Sequence, residues 1–249
     1  MKPILVYTLL AGPNPWKVIF ILEELRLPYE IVTVEFANVK KKPFTDINPN
    51  GRCPAIIDPN TNLTLWESGA IVQYIIDQYD TKRVLTYDTF PEKHHLNQWL
   101  QFQMSGQGPY YGQASWYNVL QDNPVVPEGI KRYNEQLKRV LQVLDGWLEG
   151  RQWLVGDKMT YADMAFVPWN DRIDDVIIGC ARANMFEGCP NVQAWHERMT
   201  SRHTWKKIME DRRVLMEKAG IDPKKGRPAG TGSFQEYEAA ALKGNGTDK

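Results

Sequence analysis

The residues best suited to chemistry lie in one stretch, from Asn48 to Ile71, where two features could hold a small peptide. The backbone before Pro54 favours extended geometry, so its main chain could pair with an extended ligand as a strand edge does. Glu67 and Ser68 open a predicted helix, and the free N–H groups of a helix N-terminus attract anions. Ser68 adds a hydroxyl and Glu67 could hold an ammonium, so this pair suits the head group of an α-amino acid.

A second candidate, Asn14, lies between the first predicted strand and the first predicted helix. Its amide could donate a hydrogen bond to a thiolate, the form in which a thiol is nucleophilic. A hydrogen bond to a charged group contributes about 1.5–3 kcal/mol, which would lower the pKa of a bound thiol by about 1 to 2. Alternatively, Asn14 caps the helix through its side-chain oxygen, and the two functions are compatible. Tyr7 and Thr8 are competing donors.

The elements around these residues form a βαβ unit followed by a hairpin and a closing helix. Strands are predicted at Ile4–Leu9, Tyr29–Phe36, Ala55–Ile57 and Leu63–Trp66. In the first helix, Pro15 suits the first helical position and Asn14 the N-cap. The order β-α-β-(α)-β-β-α is that of thioredoxin-like domains.

A polar linker, residues 80–88, leads into a helical region. Its first helix starts near Thr89 and is predicted to break at the glycine-rich segment Gly106–Gly112. Further helices are predicted from Pro127 and Pro190. The segment Thr160–Asp163 resembles a capping box, so we interpret Asp163 as structural. After residue 221 the sequence becomes a tail rich in glycine, proline and lysine, in which residues 233–242 could form a short helix.

Aromatic side chains gather near the predicted helix break and could line a site for an apolar substrate, although core packing is the alternative for each of them. The candidates for substrate contact are Tyr110, Tyr111, Trp116, Trp169 and Arg172, with Tyr117 beside them.

Composition excludes several classes of function. The 249 residues carry a net charge of zero, which gives no electrostatic footprint for nucleic acid, and no apolar run approaches a membrane span. The N-terminus lacks the layout of a signal peptide. Cys53, Cys180 and Cys189 are too few and too scattered for a disulfide framework or a zinc site. We therefore expect a reduced, cytoplasmic protein that holds no metal.

Taken together, Arg52-Cys53-Pro54 followed by Glu67-Ser68 resembles the N-terminal domain of glutathione transferases. The family pattern is a basic residue, an apolar residue, a cis-proline, a hairpin and a Glu/Asp-Ser helix start. The segment Gly12–Val18 resembles that of the bacterial nu class and of the fungal branch that includes the yeast nitrogen-catabolite regulator. The resemblance extends to about Gly220.

This resemblance implies a thioredoxin-like α/β domain over residues 1–80, an all-α domain over 88–220 and a tail over 221–249. It implies glutathione as co-substrate, an apolar electrophile and a homodimer. Asn14 matches the asparagine that faces the sulfur in that branch. Glutathione would be held by Asn14, Lys40, Arg52, Cys53, Pro54, Glu67 and Ser68. Lys40 is a substitute ligand for the glycyl carboxylate, because Val39 occupies the position at which relatives often have a side-chain donor. The alternative is that the lysines from 40 to 42 only form a solvated face.

The expected activity is addition of the glutathione thiolate to electrophiles. The same thiolate could attack a peroxide or a disulfide, so peroxidase or disulfide-reductase activity is open as well. The alternative to an enzyme is a protein with this fold that lacks activity and binds a partner, as a transcription regulator does. The yeast regulator carries a long Asn/Gln-rich extension before the domain, whereas here the sequence starts directly at the first strand.

Overall fold

The structure, a computed structural model, describes residues 1–121, 125–178 and 184–226. Its N-terminal part has thioredoxin-like element order: β1 (Ile4–Thr8), α1 (Pro13–Glu24), β2 (Tyr29–Thr33), a 3₁₀ turn (Phe36–Asn38), α2 (Phe44–Ile47), β3 (Ala55–Asp58), β4 (Leu63–Trp66) and α3 (Ser68–Tyr79). The helices that follow are α4 (Glu92–Phe102), α5 (Gly108–Ser115), α6 (Pro127–Leu148), α7 (Tyr161–Asn170), α8 (Pro190–Thr200) and α9 (His203–Lys218).

The four strands form one mixed sheet in the order β2-β1-β3-β4. β1 pairs with β2 in parallel, as the βαβ prediction requires, and β3 pairs antiparallel with both β1 and β4. The register places Val6 opposite Ile56, and both side chains are buried. This α/β sheet followed by a helical domain confirms the predicted fold class. β2 ends at Thr33, three residues before the predicted end at Phe36.

Helix α1 lies at the centre of the molecule, packed against α3, α7 and α9. All eight residues from Pro15 to Leu22 are buried, so this helix has no solvent face over two turns. Such a helix is expected where two layers of structure meet. It therefore couples the loop that follows β1 to the helices of the C-terminal domain.

The loop between β1 and α1 is held by the last helix as well as by α1. Arg212 of α9 donates from Nε to the carbonyl of Leu10 at 3.0 Å, and Trp16 donates from Nε1 to the same carbonyl at 3.0 Å. At the other end of α1, Arg202 contacts Glu24 with two hydrogen bonds of 2.6 and 2.9 Å. These long-range contacts fix both ends of α1 against the C-terminal helices.

The predicted break at Gly106–Gly112 is wrong, because the chain stays helical there. A wider π-helical turn, Gln103–Gln107, joins α4 to α5, and a second one, Trp116–Leu120, follows α5. A π turn inserts a residue without ending the helix and is frequent at functional sites. The glycines instead allow close packing: a Cβ on Gly106 would lie 3.2 Å from the ring of Phe102.

The capping box at the start of α7 is confirmed. Asp163 is fully buried and accepts hydrogen bonds from the backbone N–H and the hydroxyl of Thr160, at 2.9 and 2.8 Å. It also accepts from the backbone of Leu154 and from Nε1 of Trp195, at 2.9 and 3.0 Å. Burial raises the pKa of this carboxyl, whereas the hydrogen bonds lower it. Asp163 thus ties three segments of the helical domain together.

Within the described ranges, no helix is both long and apolar enough to cross a membrane. The predicted short helix at residues 233–242 and Cys180 lie outside those ranges.

Candidate functional site

A cavity of about 670 Å³ opens between the start of α1 and the helices of the C-terminal domain. Three segments of the N-terminal part and three residues of the helical part enclose it. The lining comprises Leu9, Gly12–Pro15, Phe36, Ala37, Val39–Lys41, Gly51–Cys53, Trp116, Leu120 and Trp169. Its walls therefore include Asn14, Lys40, Arg52 and Cys53 of the predicted glutathione site, and Trp116 and Trp169 of the predicted substrate site.

Asn14 is the second residue of α1 and lines the cavity. The helix begins at Pro13 and its N-cap is Gly12, with no side-chain cap, so the prediction of Asn14 as N-cap and Pro15 as first residue is wrong. The side-chain oxygen of Asn14 instead accepts a hydrogen bond of 2.9 Å from Nε1 of Trp169. The amide nitrogen has no partner among the described residues and remains available to a ligand in the cavity.

The two competing donors on β1 are less well placed. The hydroxyl of Thr8 is fully buried and donates to the carbonyl of Val6 at 3.0 Å. Tyr7 packs against Phe44 with ring centroids 5.9 Å apart. Neither Tyr7 nor Thr8 lines the cavity, so the geometry favours Asn14 over both of them.

Cys53 lines the cavity just before β3, and the peptide bond between Cys53 and Pro54 is cis, as the resemblance implied. Asn48 holds the preceding residue by donating from Nδ2 to the carbonyl of Arg52 at 2.6 Å. Burial raises the pKa of the Cys53 thiol to about 12, although a hydrogen bond with the backbone of Leu9 opposes this shift. The thiol therefore stays protonated near neutral pH, and the protein's own cysteine is poorly suited to act as nucleophile.

The rim of the cavity is cationic. Lys40, Lys41 and Arg52 line it and are exposed, whereas the lining contains no Asp or Glu. Val39 is buried beside them and offers no side-chain donor. A carboxylate of a bound peptide would meet only positive charge at this rim.

Glu67 and Ser68 do not line the cavity. Glu67 adopts the left-handed region, with φ of 72°, and is exposed. Its carboxylate accepts a hydrogen bond of 3.4 Å from Asn50. Ser68 is only 2% exposed, and its hydroxyl lies 3.5 Å from the sulfur of Met104. The structure thus places these two residues next to each other at the start of α3, beyond the walls of the cavity.

Lys17 is a residue that the sequence analysis missed. Its side chain is 1% exposed, and Nζ donates to Oε1 of Gln103 at 2.6 Å and to Oγ of Ser68 at 3.4 Å. Burial lowers the pKa of this ammonium to about 7, while the negative charge of Glu67 raises it. A signal was present in the sequence, because Lys17 is the one charged residue between Pro15 and Leu22.

A chain of buried amides continues from Lys17 into the helical domain. Gln103 donates from Nε2 to Oε1 of Gln107 at 2.9 Å, and Gln107 donates to Oδ1 of Asn170 at 2.8 Å. All three amides are fully buried. Networks of this kind hold their members in one arrangement, because an unpaired buried polar group is costly. Lys17 is therefore positioned by residues of α7 and of the π turn after α4.

Of the predicted substrate residues, only Trp116 and Trp169 line the cavity. Tyr111 is fully buried against Trp169, edge to face at 6.4 Å, and Tyr110 lies under the guanidinium of Arg139 at 5.7 Å. Arg172 does not line the cavity, and its Nη1 and Nη2 donate to the carbonyls of residues 223 and 224 at 3.1 and 3.0 Å. Tyr110, Tyr111 and Arg172 thus lie outside the lining of this cavity.

No group of three or more His, Cys, Asp or Glu side chains in the described parts of the chain could hold a metal ion. The chemistry that the arrangement supports is hydrogen bonding to an anion at Asn14, beside an apolar wall and a cationic rim.

Comparison with known proteins identifies relatives over most of the chain. Residues 2–77 match the family model described as glutathione S-transferase, N-terminal domain, and residues 126–203 match the C-terminal domain of the same family. The chain is 45% identical over 209 residues to glutathione S-transferase-like protein gedE of Aspergillus terreus, covering 80% of this chain and 91% of that protein. It is 40% identical over 220 residues to glutathione S-transferase 2 of Schizosaccharomyces pombe, covering 83% of this chain and 94% of that protein.

Among solved structures, the chain is similar to glutathione transferase URE2P8 from Phanerochaete chrysosporium, whose crystal structure contains oxidized glutathione. The TM-score is 0.81 at 40% sequence identity, and the match covers 87% of this chain and 98% of that one. The expected likeness to the fungal branch is thereby confirmed.

Proposed function

Because this chain belongs to the glutathione S-transferase family, we propose that it adds the thiolate of glutathione to apolar electrophiles, with Asn14 as the residue that stabilises the thiolate. The observation that carries the proposal is the amide of Asn14 at the mouth of the cavity. Its oxygen is occupied by Trp169, and its nitrogen is left for a ligand.

Glutathione would lie along the N-terminal side of the cavity, with its glycyl carboxylate at the cationic rim of Lys40, Lys41 and Arg52. Its cysteinyl backbone would pair with the main chain at Cys53, before Pro54. Its γ-glutamyl head would reach the start of α3, at Glu67 and Ser68. This placement sets the sulfur beside Asn14, opposite Trp116 and Trp169.

The mechanism then requires a donor for the sulfur anion. A thiol with a pKa near 8.5 is only a few per cent ionised at neutral pH. A hydrogen bond to a charged group contributes about 1.5–3 kcal/mol, so one amide donor would lower the pKa of the thiol by about 1 to 2. The start of α1 adds the positive end of a helix dipole nearby. The apolar wall of Trp116, Leu120 and Trp169 would hold the electrophile within reach of the thiolate.

The experiment that tests this proposal is an assay with glutathione against a panel of electrophiles, hydroperoxides and mixed disulfides. We expect turnover above the uncatalysed blank for at least one electrophile. Asn14→Ala should raise the pKa of the bound thiol by about 1 to 2 and reduce turnover near neutral pH. Asn14→Asp retains an acceptor for Trp169 but places a carboxylate near the sulfur, so its thiol pKa should rise further than that of Asn14→Ala.

The stability of the same variants separates chemistry from structure. Because Asn14 is not the N-cap, Asn14→Ala should lose one hydrogen bond, about 0.5–1.5 kcal/mol of unfolding free energy. If every electrophile reacts at the rate of the blank while glutathione still binds, the alternative of a protein that lacks activity and binds a partner is supported instead. Turnover of a hydroperoxide or a disulfide by the same thiolate would extend the activity to peroxidase or reductase chemistry.

We also propose a homodimer, a cytoplasmic location and domain limits at residues 1–80, 88–220 and 221–249. Two large exposed aromatics, Trp66 on the edge strand and Phe90 before α4, support a partner surface that includes both domains. Cys53 and Cys189, both free in the part of the chain that the structure describes, suit a reducing compartment. Sedimentation equilibrium should give twice the mass of 28.8 kDa at micromolar protein, and a monomer there would contradict the dimer.

A further inference from the structure

One hydrogen bond joins the proposed catalytic residue to the helical domain. Nε1 of Trp169, in the last turn of α7, lies 2.9 Å from Oδ1 of Asn14, in the first turn of α1. The two residues are 155 positions apart in the sequence. No other hydrogen bond of the Asn14 side chain occurs among the described residues. Trp169 is therefore the contact that decides how this amide is oriented.

The chemistry of the two groups fixes that orientation. An indole N–H can only donate, and in an asparagine amide only the oxygen accepts while the nitrogen donates. When the oxygen faces Trp169, the NH₂ group must point the other way. We propose that Trp169 is a positioning residue that holds the amide of Asn14 with its NH₂ group toward the sulfur of glutathione. This inference rests on the proposed role of Asn14 and adds a requirement to it.

Trp169 itself packs against α5. The ring of Tyr111 meets it edge to face, with an interplanar angle of 84°. Gly112 and Gly108 of α5 lie against it as well, since a Cβ on Gly112 would be in van der Waals contact with its six-membered ring at 3.6 Å and a Cβ on Gly108 with Nε1 at 3.8 Å. The indole is thus fixed by α5 and α7 before any ligand binds, which is the condition for preorganised stabilisation of a charge.

Loss of the indole N–H should release the amide of Asn14. The two ends of an asparagine amide are nearly equal in size, so a free side chain can rotate and turn its oxygen toward the cavity. In that state the amide presents an acceptor to the thiolate rather than a donor. A population of both orientations weakens the average hydrogen bond to the sulfur without removing Asn14.

The test is the pKa of the glutathione thiol in the complex, followed by the ultraviolet absorbance of the thiolate, for a set of variants. Trp169→Phe removes the donor and retains an aromatic wall. Trp116→Phe is the matched control, since this tryptophan lines the same cavity and has no hydrogen bond to Asn14. We expect Trp169→Phe to raise the thiol pKa by about 0.5 to 1, and Trp116→Phe to leave it unchanged. Both can change the KM for the electrophile.

A double variant separates positioning from a general effect on the cavity. In the Asn14→Ala background, Trp169→Phe has no amide to orient, so the thiol pKa of the double variant should equal that of Asn14→Ala alone. If Trp169→Phe still raises the pKa in that background, the indole acts on the sulfur by another route and the inference is overturned.

The outcomes also distinguish this inference from the proposed function. If Asn14→Ala leaves the thiol pKa unchanged, the role of Asn14 fails and the positioning role fails with it. If Asn14→Ala raises the pKa and a folded Trp169→Phe does not, only the positioning role is refuted. Should Trp169→Phe not fold, incorporation of benzothienylalanine at residue 169 replaces the N–H by sulfur with little change in shape, and the same increase in pKa is expected.

Discussion

Lys17 should take up a proton when glutathione binds, and the structure gives the size of that uptake. Its Nζ is buried, 3.4 Å from Oγ of Ser68, and burial lowers its pKa to about 7 while Glu67 raises it. Its other polar neighbours, Gln103 and Met104, are neutral. In the ligand-free protein at about pH 7.5, a group with this pKa is charged in about a quarter of the molecules.

The proposed site adds a carboxylate to this environment. A γ-glutamyl carboxylate hydrogen-bonded at Ser68 would lie about 6 Å from Nζ, by the sum of the 3.4 Å from Nζ to Oγ and one further hydrogen-bond length of about 2.7 Å. At an effective dielectric of about 20–40, the attraction is about 1.4–2.8 kcal/mol. The pKa of Lys17 would then rise by about 1 to 2, and about 0.5–0.7 proton would be taken up at about pH 7.5. The uptake should be largest at about pH 7.5–8, fall below about 0.1 at pH 6, where the amine is already charged, and fall below about 0.3 by about pH 9.5, where the amine is neutral in most molecules.

Calorimetric titration in buffers of different ionisation enthalpy measures this quantity. The ligand should be S-methylglutathione, since it lacks the thiol whose ionisation would release a proton. Lys17→Met retains the buried stem, removes the amine and should abolish the uptake. Lys17→Arg retains a charge that does not titrate in this range and should also abolish it.

The dependence of the proton uptake on pH tests whether Lys17 is the group that titrates. A proton uptake that stays flat between pH 6 and pH 9, or that is as large in Lys17→Met as in the wild type, would refute the coupling of Lys17 to the γ-glutamyl carboxylate. An uptake that disappears in Ser68→Ala as well would place the carboxylate at the hydroxyl that Lys17 contacts.

Two further predictions concern cysteine reactivity and stability. Burial raises the pKa of the Cys53 thiol to about 12, so iodoacetamide should alkylate it at least about a hundredfold more slowly than free glutathione at pH 7.5, as measured by peptide mapping. Comparable rates would contradict a protonated thiol. Asp163→Asn should lower the unfolding free energy by about 3 kcal/mol, because the buried carboxylate accepts from Trp195 and from Thr160 and an amide cannot accept from both. Urea denaturation with an unchanged midpoint would refute this expectation.

The strands were predictable because their hydrophobic patterns are short, apolar and bounded by turn residues. β4 has the predicted limits, and β3 runs one residue further, to Asp58. The start of α1 was not predictable, because Pro13 and Pro15 both suit a first helical position and asparagine is a favoured N-cap. The structure selects Pro13, so the side chain of Asn14 is free of the helix end and can bond to Trp169.

In the helical domain, the prediction of a helix break failed for another reason. The glycines between Gly106 and Gly112 predicted a break, since glycine disfavours a helix interior. Tertiary packing outweighs that propensity, because Gly106 packs tightly against the ring of Phe102 and Gly108 and Gly112 lie beside the indole of Trp169. The helix propensity of a segment contains no information on contacts with residues that are distant in sequence, such as that between α5 and Trp169.

The N-terminal domain by itself does not contain the contacts that orient the candidate site. The residues of the candidate glutathione site, around Asn14, Pro54 and Ser68, all belong to the N-terminal domain. The contacts that orient them come from the helical domain: Trp169 fixes the amide of Asn14, and Gln103 fixes the amine of Lys17. An isolated N-terminal domain would keep every residue of the candidate glutathione site and lose both contacts, so thiolate stabilisation should depend on the helical domain even where that domain does not touch glutathione.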